Sequence, residues 1–151
     1  MNQREAEAIL ALWLEVDQGL ALVDELKDSH RHWRDELAAE RVVERIFQAA
    51  ESIPPEIRIH HFGPEGFKRL RGMRNRLAHN YREIDVSILW GTLTDELPRV
   101  RDRLEMDCQV ASAIVLAERF EEEKSEWLLL HLAATAGSAM AVGDEGSSHT
   151  H

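Results

Sequence analysis

Cysteine, tyrosine and proline are scarce in this chain of 151 residues, which contains one Cys, one Tyr and four Pro. Because Cys108 is the single cysteine, no disulfide can form within the chain, and nothing indicates an oxidising compartment. No apolar run approaches the ~18 residues that a membrane-spanning helix needs. The N-terminal segment also lacks the pattern of a signal peptide. We therefore expect a cytoplasmic protein with no membrane segment.

Positive charge is also scarce overall, but it is concentrated in one segment. The formal net charge is −10, from 18 Lys and Arg against 28 Asp and Glu. Residues 57–82 contain seven of those basic residues and a single acidic one, Glu65. Such a segment can hold phosphate groups locally while the acidic remainder opposes indiscriminate binding to nucleic acids. The alternative is a solvent-exposed helix face that happens to be basic.

Apolar residues recur at steps of three and four along most of the chain, which predicts helices, and no run is typical of a strand. The predicted helices span residues 5–26, 35–52, 67–81 and 85–105, and the helical pattern resumes at Met106. Residues 57–66 are expected to form a connection, and Pro98 is expected to kink the fourth helix.

The C-terminal third is less defined by its pattern. Beyond Met106, either one long helix or two helices broken near Lys124-Ser125 would fit. Residues 135–151, rich in Gly, Ser and Ala, are expected to form a flexible tail, which leaves 1–134 as a single helical domain.

Residues 74–81 carry the side chains that suggest chemistry. Arg74 is a permanent cation whose planar fork suits phosphate oxygens, and His79 can accept and return a proton near neutral pH. Together they suffice to cleave a phosphodiester without a metal ion or other cofactor. Asn75 would orient the substrate by hydrogen bonds. The flanking phosphates would be held by Arg71, Arg76 and Arg82.

The spacing of the two candidate catalytic residues sets a geometric problem. Five residues correspond to about 140° around a helix axis, so Arg74 and His79 do not lie side by side on a regular helix. Either the helix loosens near Asn80, or the arginine of one protomer works with features supplied by another. Gly72, a glycine inside the predicted helix, indicates close approach of another backbone.

Two adjacent histidines, His60 and His61, are a weaker candidate for a metal site. Adjacent side chains point apart, and no cysteine or cluster of acidic residues nearby would complete a set of ligands. We expect no metal here and interpret both as polar side chains of the connection.

Residues 72–81, Gly-Met-Arg-Asn-Arg-Leu-Ala-His-Asn-Tyr, resemble the R-x4-H-x-Y signature of HepT-like toxins, members of the HEPN superfamily of all-helical ribonucleases. Phe67 before the signature and Trp90 after it also fit that family, and the resemblance covers roughly residues 35–105. It implies an all-α, HEPN-type bundle of four to five main helices. It also implies a homodimer in which the signatures of two protomers meet.

The resemblance further implies the toxin of a HEPN/MNT toxin–antitoxin system. Such a toxin would be a metal-independent endoribonuclease that cuts tRNA or mRNA and leaves a 2′,3′-cyclic phosphate and a 5′-hydroxyl. In HepT-like systems the signature tyrosine is AMPylated by a cognate minimal nucleotidyltransferase (MNT) antitoxin. Here that residue is Tyr81, the single tyrosine of the chain, and the added phosphate would block the cleft and compete for Arg74.

Two other functions remain open from the sequence. Some HEPN relatives keep the helical fold as a non-catalytic module that binds a nucleotide or a protein partner, such as a nucleotidyltransferase. The chain could also form a purely structural helical dimer, in which the basic segment meets an acidic face of its partner.

Overall fold

The computed structural model describes residues 1–26, 32–79 and 86–144, and every regular element in these ranges is helical. The elements are α1 (Gln3–Leu26), α2 (Trp33–Glu51), α3 (Pro55–His79), α4 (Val86–Gly91), a π-helical turn (Thr92–Glu96) and α5 (Leu97–Asp144). This confirms the predicted all-α class. The chain divides into two compact units, Met1–Ile114 and Val115–His151.

The core of the first unit is built from helix faces with the predicted period. The period of α2 predicts an apolar stripe, of which Val42 is only partly buried and the following residues are buried: Ala39, Val43, Ile46, Phe47 and Ala50. In α1 the period places Ile9, Trp13 and Val16 on the apolar stripe. Ile9 and Val16 are buried as predicted, but Leu12 is buried as well and Trp13 is only partly buried. The α1 stripe is therefore rotated slightly from the one that the periodicity predicts.

The close approach that the sequence suggested for Gly72 occurs within this chain at Gly19 instead. A Cβ atom built on Gly19 would lie 2.8 Å from Leu97 Cδ1 and 2.9 Å from Val42 Cγ1. Side chains of α2 and α5 thus pack directly against the α1 backbone at this glycine. A Cβ atom on Gly72 would meet nothing within 4 Å.

The predicted connection over residues 57–66 is wrong, because α3 is helical from Pro55 onward and bends at a single residue. Gly63 has φ 76° and ψ 169°, a backbone conformation that glycine adopts without steric cost. Pro64 follows and restarts the helix, where its missing N–H costs no hydrogen bond. A single residue with non-helical backbone angles is enough to change the direction of the helix, so this Gly- and Pro-containing segment does not form a loop.

The segment before Pro98 widens to a π-helical turn. The turn covers Thr92–Glu96 and is separated by Leu97 alone from Pro98, the proline that the sequence predicts to distort this helix. A π-helical turn adds a residue to the helical repeat and is one of the recognised causes of a helix irregularity. The Thr94 hydroxyl donates a hydrogen bond to the Trp90 carbonyl oxygen at 2.8 Å.

The second unit is described as far as Asp144, where α5 ends. The helix passes Lys124-Ser125 without a break, so this part of the chain forms one long helix and not two, and it extends ten residues past position 134. Its large apolar side chains, among them Phe120, Trp127 and Leu130, are exposed. No helix in the described ranges combines the length and the apolar character needed to cross a membrane.

Candidate active site

Helix α3 carries all the candidate site residues that the structure describes. Arg74, Asn75, Arg76 and His79 are exposed, and α3 remains helical through His79. Arg74 and His79 are therefore separated by about 140° around the helix axis and by about 7.5 Å along it, as on a regular helix. Asn80, where the sequence allowed the helix to loosen, lies outside the described residues, as do two other predicted site residues, Tyr81 and Arg82.

Arg74 lies over an aromatic side chain of the neighbouring helix. Its guanidinium carbon is 5.3 Å from the ring centroid of Phe47 in α2, and its Nη1 lies 3.4 Å from Asn75 Oδ1. Phe47 itself stacks on Phe67 of α3, with ring centroids 5.5 Å apart and an angle of 7° between the planes. The signature arginine is thus held by a cation–π contact on a stacked, buried aromatic pair.

Two more arginines contact the same aromatic pair. Arg71 has its guanidinium carbon 5.0 Å from the Phe67 centroid, and Arg58 is closer still, at 4.2 Å. Arg71 and Arg74 are three residues apart, about one turn, so they share a side of the helix. The structure therefore brings two predicted residues together and adds Arg58, which motif spacing alone did not single out.

Arg76, which is also predicted to bind RNA, occupies a different side of α3. It lines a surface groove of about 450 Å³ together with Gly72, Met73 and Ile88. Arg71 and Arg76 are five residues apart, or about 140° around the axis. The predicted phosphate ligands are therefore divided between the aromatic pair and this groove.

Ion pairs neutralise only part of the basic segment. Arg69 pairs with Glu96 at 3.1 Å, and Lys68 lies 3.9 Å from Glu65. Across residues 1–26, 32–79 and 86–144, no carboxylate pairs with Arg71 or Arg74. The arginines on the aromatic pair therefore keep their charge available for an anion.

His79 is exposed at the end of α3, where a substrate can reach its ring. In the part of the chain that the structure describes, its ring nitrogens form no hydrogen bond or ion pair. An accessible imidazole can accept a proton from a hydroxyl or return one to a leaving oxygen.

His61 is a core residue, so its interpretation as a polar side chain of a connection is wrong. Its side chain is 0% exposed. Its Nε2 lies 2.9 Å from Asp107 Oδ2, although poorly aligned for a hydrogen bond, and the Arg103 guanidinium donates to the His61 carbonyl oxygen at 3.3 Å. Burial lowers the pKa of His61 from its ordinary value, with Asp107 opposing that shift. Among the described residues no group of three or more His, Cys, Asp and Glu is placed to hold a metal ion.

These observations define a class of protein. An all-α bundle that displays the Arg and His of an R-x4-H motif on an exposed helix is a HEPN-type fold. Residues 18–106, more than half of the chain, match the model of the family described as "Ribonuclease HepT-like". The chain belongs to this family.

Two archaeal proteins are among those similar to this chain. The chain is 35% identical over 68 residues to "Putative RNase MJ1216" of Methanocaldococcus jannaschii, a match that covers 45% of this chain and 55% of that protein. It is 30% identical over 73 residues to "Probable ribonuclease HepT" of Thermococcus cleftensis, covering 48% of this chain and 64% of that protein. The chain thus spans between half and two thirds of the length of these relatives. No solved structure matches it.

Proposed function

We propose that this protein is a metal-independent endoribonuclease and acts as the toxin of a HEPN/MNT toxin–antitoxin system. The observation that supports this proposal most is the environment of the two motif residues. Arg74 is held on Phe47 without a carboxylate partner in the described residues, and His79 is exposed. A fixed, uncompensated cation and an accessible proton-transfer group are what phosphodiester cleavage needs. Membership of the HepT-like family supports the same activity.

RNA supplies its own nucleophile in this reaction. His79 acts as the base that takes the proton of the 2′-hydroxyl, or as the acid that protonates the leaving 5′-oxygen. The 2′-oxygen bonds to phosphorus as the bond from phosphorus to the 5′-oxygen breaks, which leaves a 2′,3′-cyclic phosphate and a 5′-hydroxyl. Arg74 stabilises the charge that develops on the phosphate oxygens, while Asn75 orients the substrate. The flanking phosphates are bound by Arg71, Arg76 and Arg82.

A homodimer completes the site. Because α3 is helical through His79, Arg74 and His79 of one chain face different sides of the helix. In a two-fold dimer the same surface of both copies meets, so Arg74 of one protomer can approach the partner's His79, and the reverse holds at the second site. This arrangement needs no distortion of the helix.

The antitoxin acts on Tyr81. An MNT nucleotidyltransferase would transfer AMP from ATP to the tyrosine hydroxyl, with release of pyrophosphate. The new phosphate lies two residues from His79 in sequence and carries a negative charge that would compete with RNA for Arg74. No metal or cofactor of the toxin itself takes part in this proposal.

The test is cleavage of total RNA, tRNA included, by the purified protein in EDTA, with His79→Ala as the matched control. Mass spectrometry first establishes that Tyr81 carries no AMP. We expect cleavage by the unsubstituted protein alone, with 2′,3′-cyclic phosphate ends. Cleavage by both proteins would remove His79 from the mechanism, and cleavage by neither would favour a non-catalytic binding module.

A further inference from the structure

Three arginines of α3 surround a pair of phenylalanines from α2 and α3 and form, with them, an arginine cluster. Arg58 and Arg71 lie over the ring of Phe67, and Arg74 lies over the ring of Phe47, which is stacked on Phe67. Arg58 belongs to neither the R-x4-H-x-Y motif nor its immediate flanks. Its guanidinium carbon nevertheless makes the closest approach to an aromatic ring in the cluster, at 4.2 Å.

The bend at Gly63 is what brings Arg58 into the cluster. In a straight helix, Arg58 and Phe67 would be separated by about 13.5 Å along the axis and by half a turn around it, so their side chains would point away from each other. The positive φ of Gly63 redirects the first segment of α3 and lets Arg58 reach the ring. Arg58 is half-buried in that position, whereas Arg71 and Arg74 are exposed.

The charges of the cluster are not compensated within the described ranges. No carboxylate there pairs with Arg58, Arg71 or Arg74, and Glu51 lines the same surface groove as Arg58 without forming an ion pair with it. Like charges placed around one aromatic pair repel each other, and an anion between them relieves that repulsion. Stacking on a ring also leaves the N–H groups at the edge of a guanidinium free to bind phosphate oxygens.

We propose that Arg58 binds an RNA phosphate next to the one that is cleaved, together with Arg71, while Arg74 contacts the reacting phosphate. Arg58 is thus an RNA-binding residue, and the aromatic pair fixes its position. The proposal rests on the ribonuclease function proposed above. It extends the RNA path from the motif across the bend of α3 and onto its first segment.

The test measures RNA binding as a function of salt, in the His79→Ala protein so that the RNA stays intact. Fluorescence anisotropy with a fluorescein-labelled single-stranded RNA is recorded between 0.1 and 1 M KCl. Each phosphate contact contributes about 0.7 to the slope of log K against log salt, so losing one weakens binding about fivefold at 0.1 M and not at all at 1 M. We expect this pattern for Arg58→Gln, whereas Arg58→Lys, which keeps the charge, keeps the slope.

Arg101→Gln is the matched control. Arg101 also lies over an aromatic ring, 5.3 Å from the Trp13 centroid, but its charge is paired with Asp17 at 3.3 Å. We expect its substitution to leave RNA affinity and the salt slope unchanged. Circular dichroism checks that each variant is folded. If Arg58→Gln is unfolded, Arg58→Met replaces it, since the methionine side chain preserves apolar contact with the ring.

The outcomes separate this proposal from the one it rests on. An unchanged slope for folded Arg58→Gln or Arg58→Met, or an equal loss for Arg101→Gln, would overturn the assignment of Arg58 even if the unsubstituted protein cleaves RNA. A loss of affinity that is the same at every salt concentration would show that Arg58 has only a structural role. Absence of both cleavage and RNA binding in the unsubstituted protein would overturn both proposals.

Discussion

Complementation between two inactive variants is the sharpest test of the composite site. Arg74→Ala removes the cation and His79→Ala removes the proton-transfer group, and both side chains are exposed, so neither change disturbs the core. Loss of one electrostatic stabiliser of a transition state typically lowers kcat by about 10²–10³, or about 2.7–4 kcal/mol. Each variant alone is therefore expected to retain on the order of 1% or less of the activity.

The structure sets the activity expected from a mixture. In the homodimer proposed above, the separation of about 140° between Arg74 and His79 on a regular helix would make each site take its arginine from one chain and its histidine from the partner. A dimer of one Arg74→Ala chain and one His79→Ala chain then has one intact site and one site that lacks both groups. Random exchange makes half of the dimers mixed, so the mixture recovers about a quarter of the wild-type rate.

The assay uses an RNA with a fluorophore and a quencher at its ends, after the two variants have been co-refolded at equal concentrations. A mixture of Arg74→Ala with the Arg74→Ala, His79→Ala double variant serves as the control, because no dimer of these chains contains an intact site. A mixture no more active than either single variant would show that both groups act within one chain. If size-exclusion chromatography showed that the protein is a monomer at a concentration at which it is active, both groups would again have to act within one chain.

Three further predictions concern single positions. Gly19→Ala should destabilise the fold by about 1–3 kcal/mol because of the close contacts that its Cβ atom would make. Gly72→Ala should stabilise it by about 1 kcal/mol, because its Cβ atom would lie in open space and alanine favours a helix over glycine. Urea denaturation measures both, and the reverse order of stabilities would contradict the packing described. Because the pKa of His61 is lowered in the folded chain, the unfolded chain alone gains this proton as pH falls below about 6.5. The free energy of unfolding should then fall with decreasing pH by up to about 1.4 kcal/mol per unit until the folded pKa is reached, a slope that His61→Gln should lack in urea titrations at pH 7.5 and 5.5. Incubation with the nucleotidyltransferase and ATP should add AMP to the wild type but not to Tyr81→Phe, and equal mass gain in both would exclude this tyrosine.

Periodicity predicted the helices and most of the core because burial of one helix face leaves a direct trace in the sequence. The buried residues of α2 are those the pattern indicated, Ile46 and Phe47 among them. The pattern is misleading at residues 57–66, where it predicts a connection but the chain is helical apart from Gly63. Glycine and proline in sequence show that the backbone changes direction, but they do not show that a single residue suffices to change it.

The motif residues could be found from the sequence because the signature lies in one short stretch, but their surroundings could not. Arg58 and Phe47 come from positions far from the motif, and only the bend of α3 and the packing of α2 bring them to it. Likewise, seven basic residues over positions 57–82 look equivalent in sequence. Tertiary contacts distinguish them, since Arg69 is neutralised by Glu96.

This distinction also reconciles the acidity of the chain with the RNA substrate proposed for it. A net charge of −10 repels a polyanion at long range, so binding depends on the few cations that keep their charge at the site. Arginines held on Phe47 and Phe67 meet this need, because an aromatic ring fixes a guanidinium in place without neutralising it, whereas a carboxylate would do both. An added negative group near the site, such as AMP on Tyr81, would then oppose a small set of local charges rather than a broad basic surface. Under the proposed mechanism, one such modification is therefore enough to inhibit cleavage.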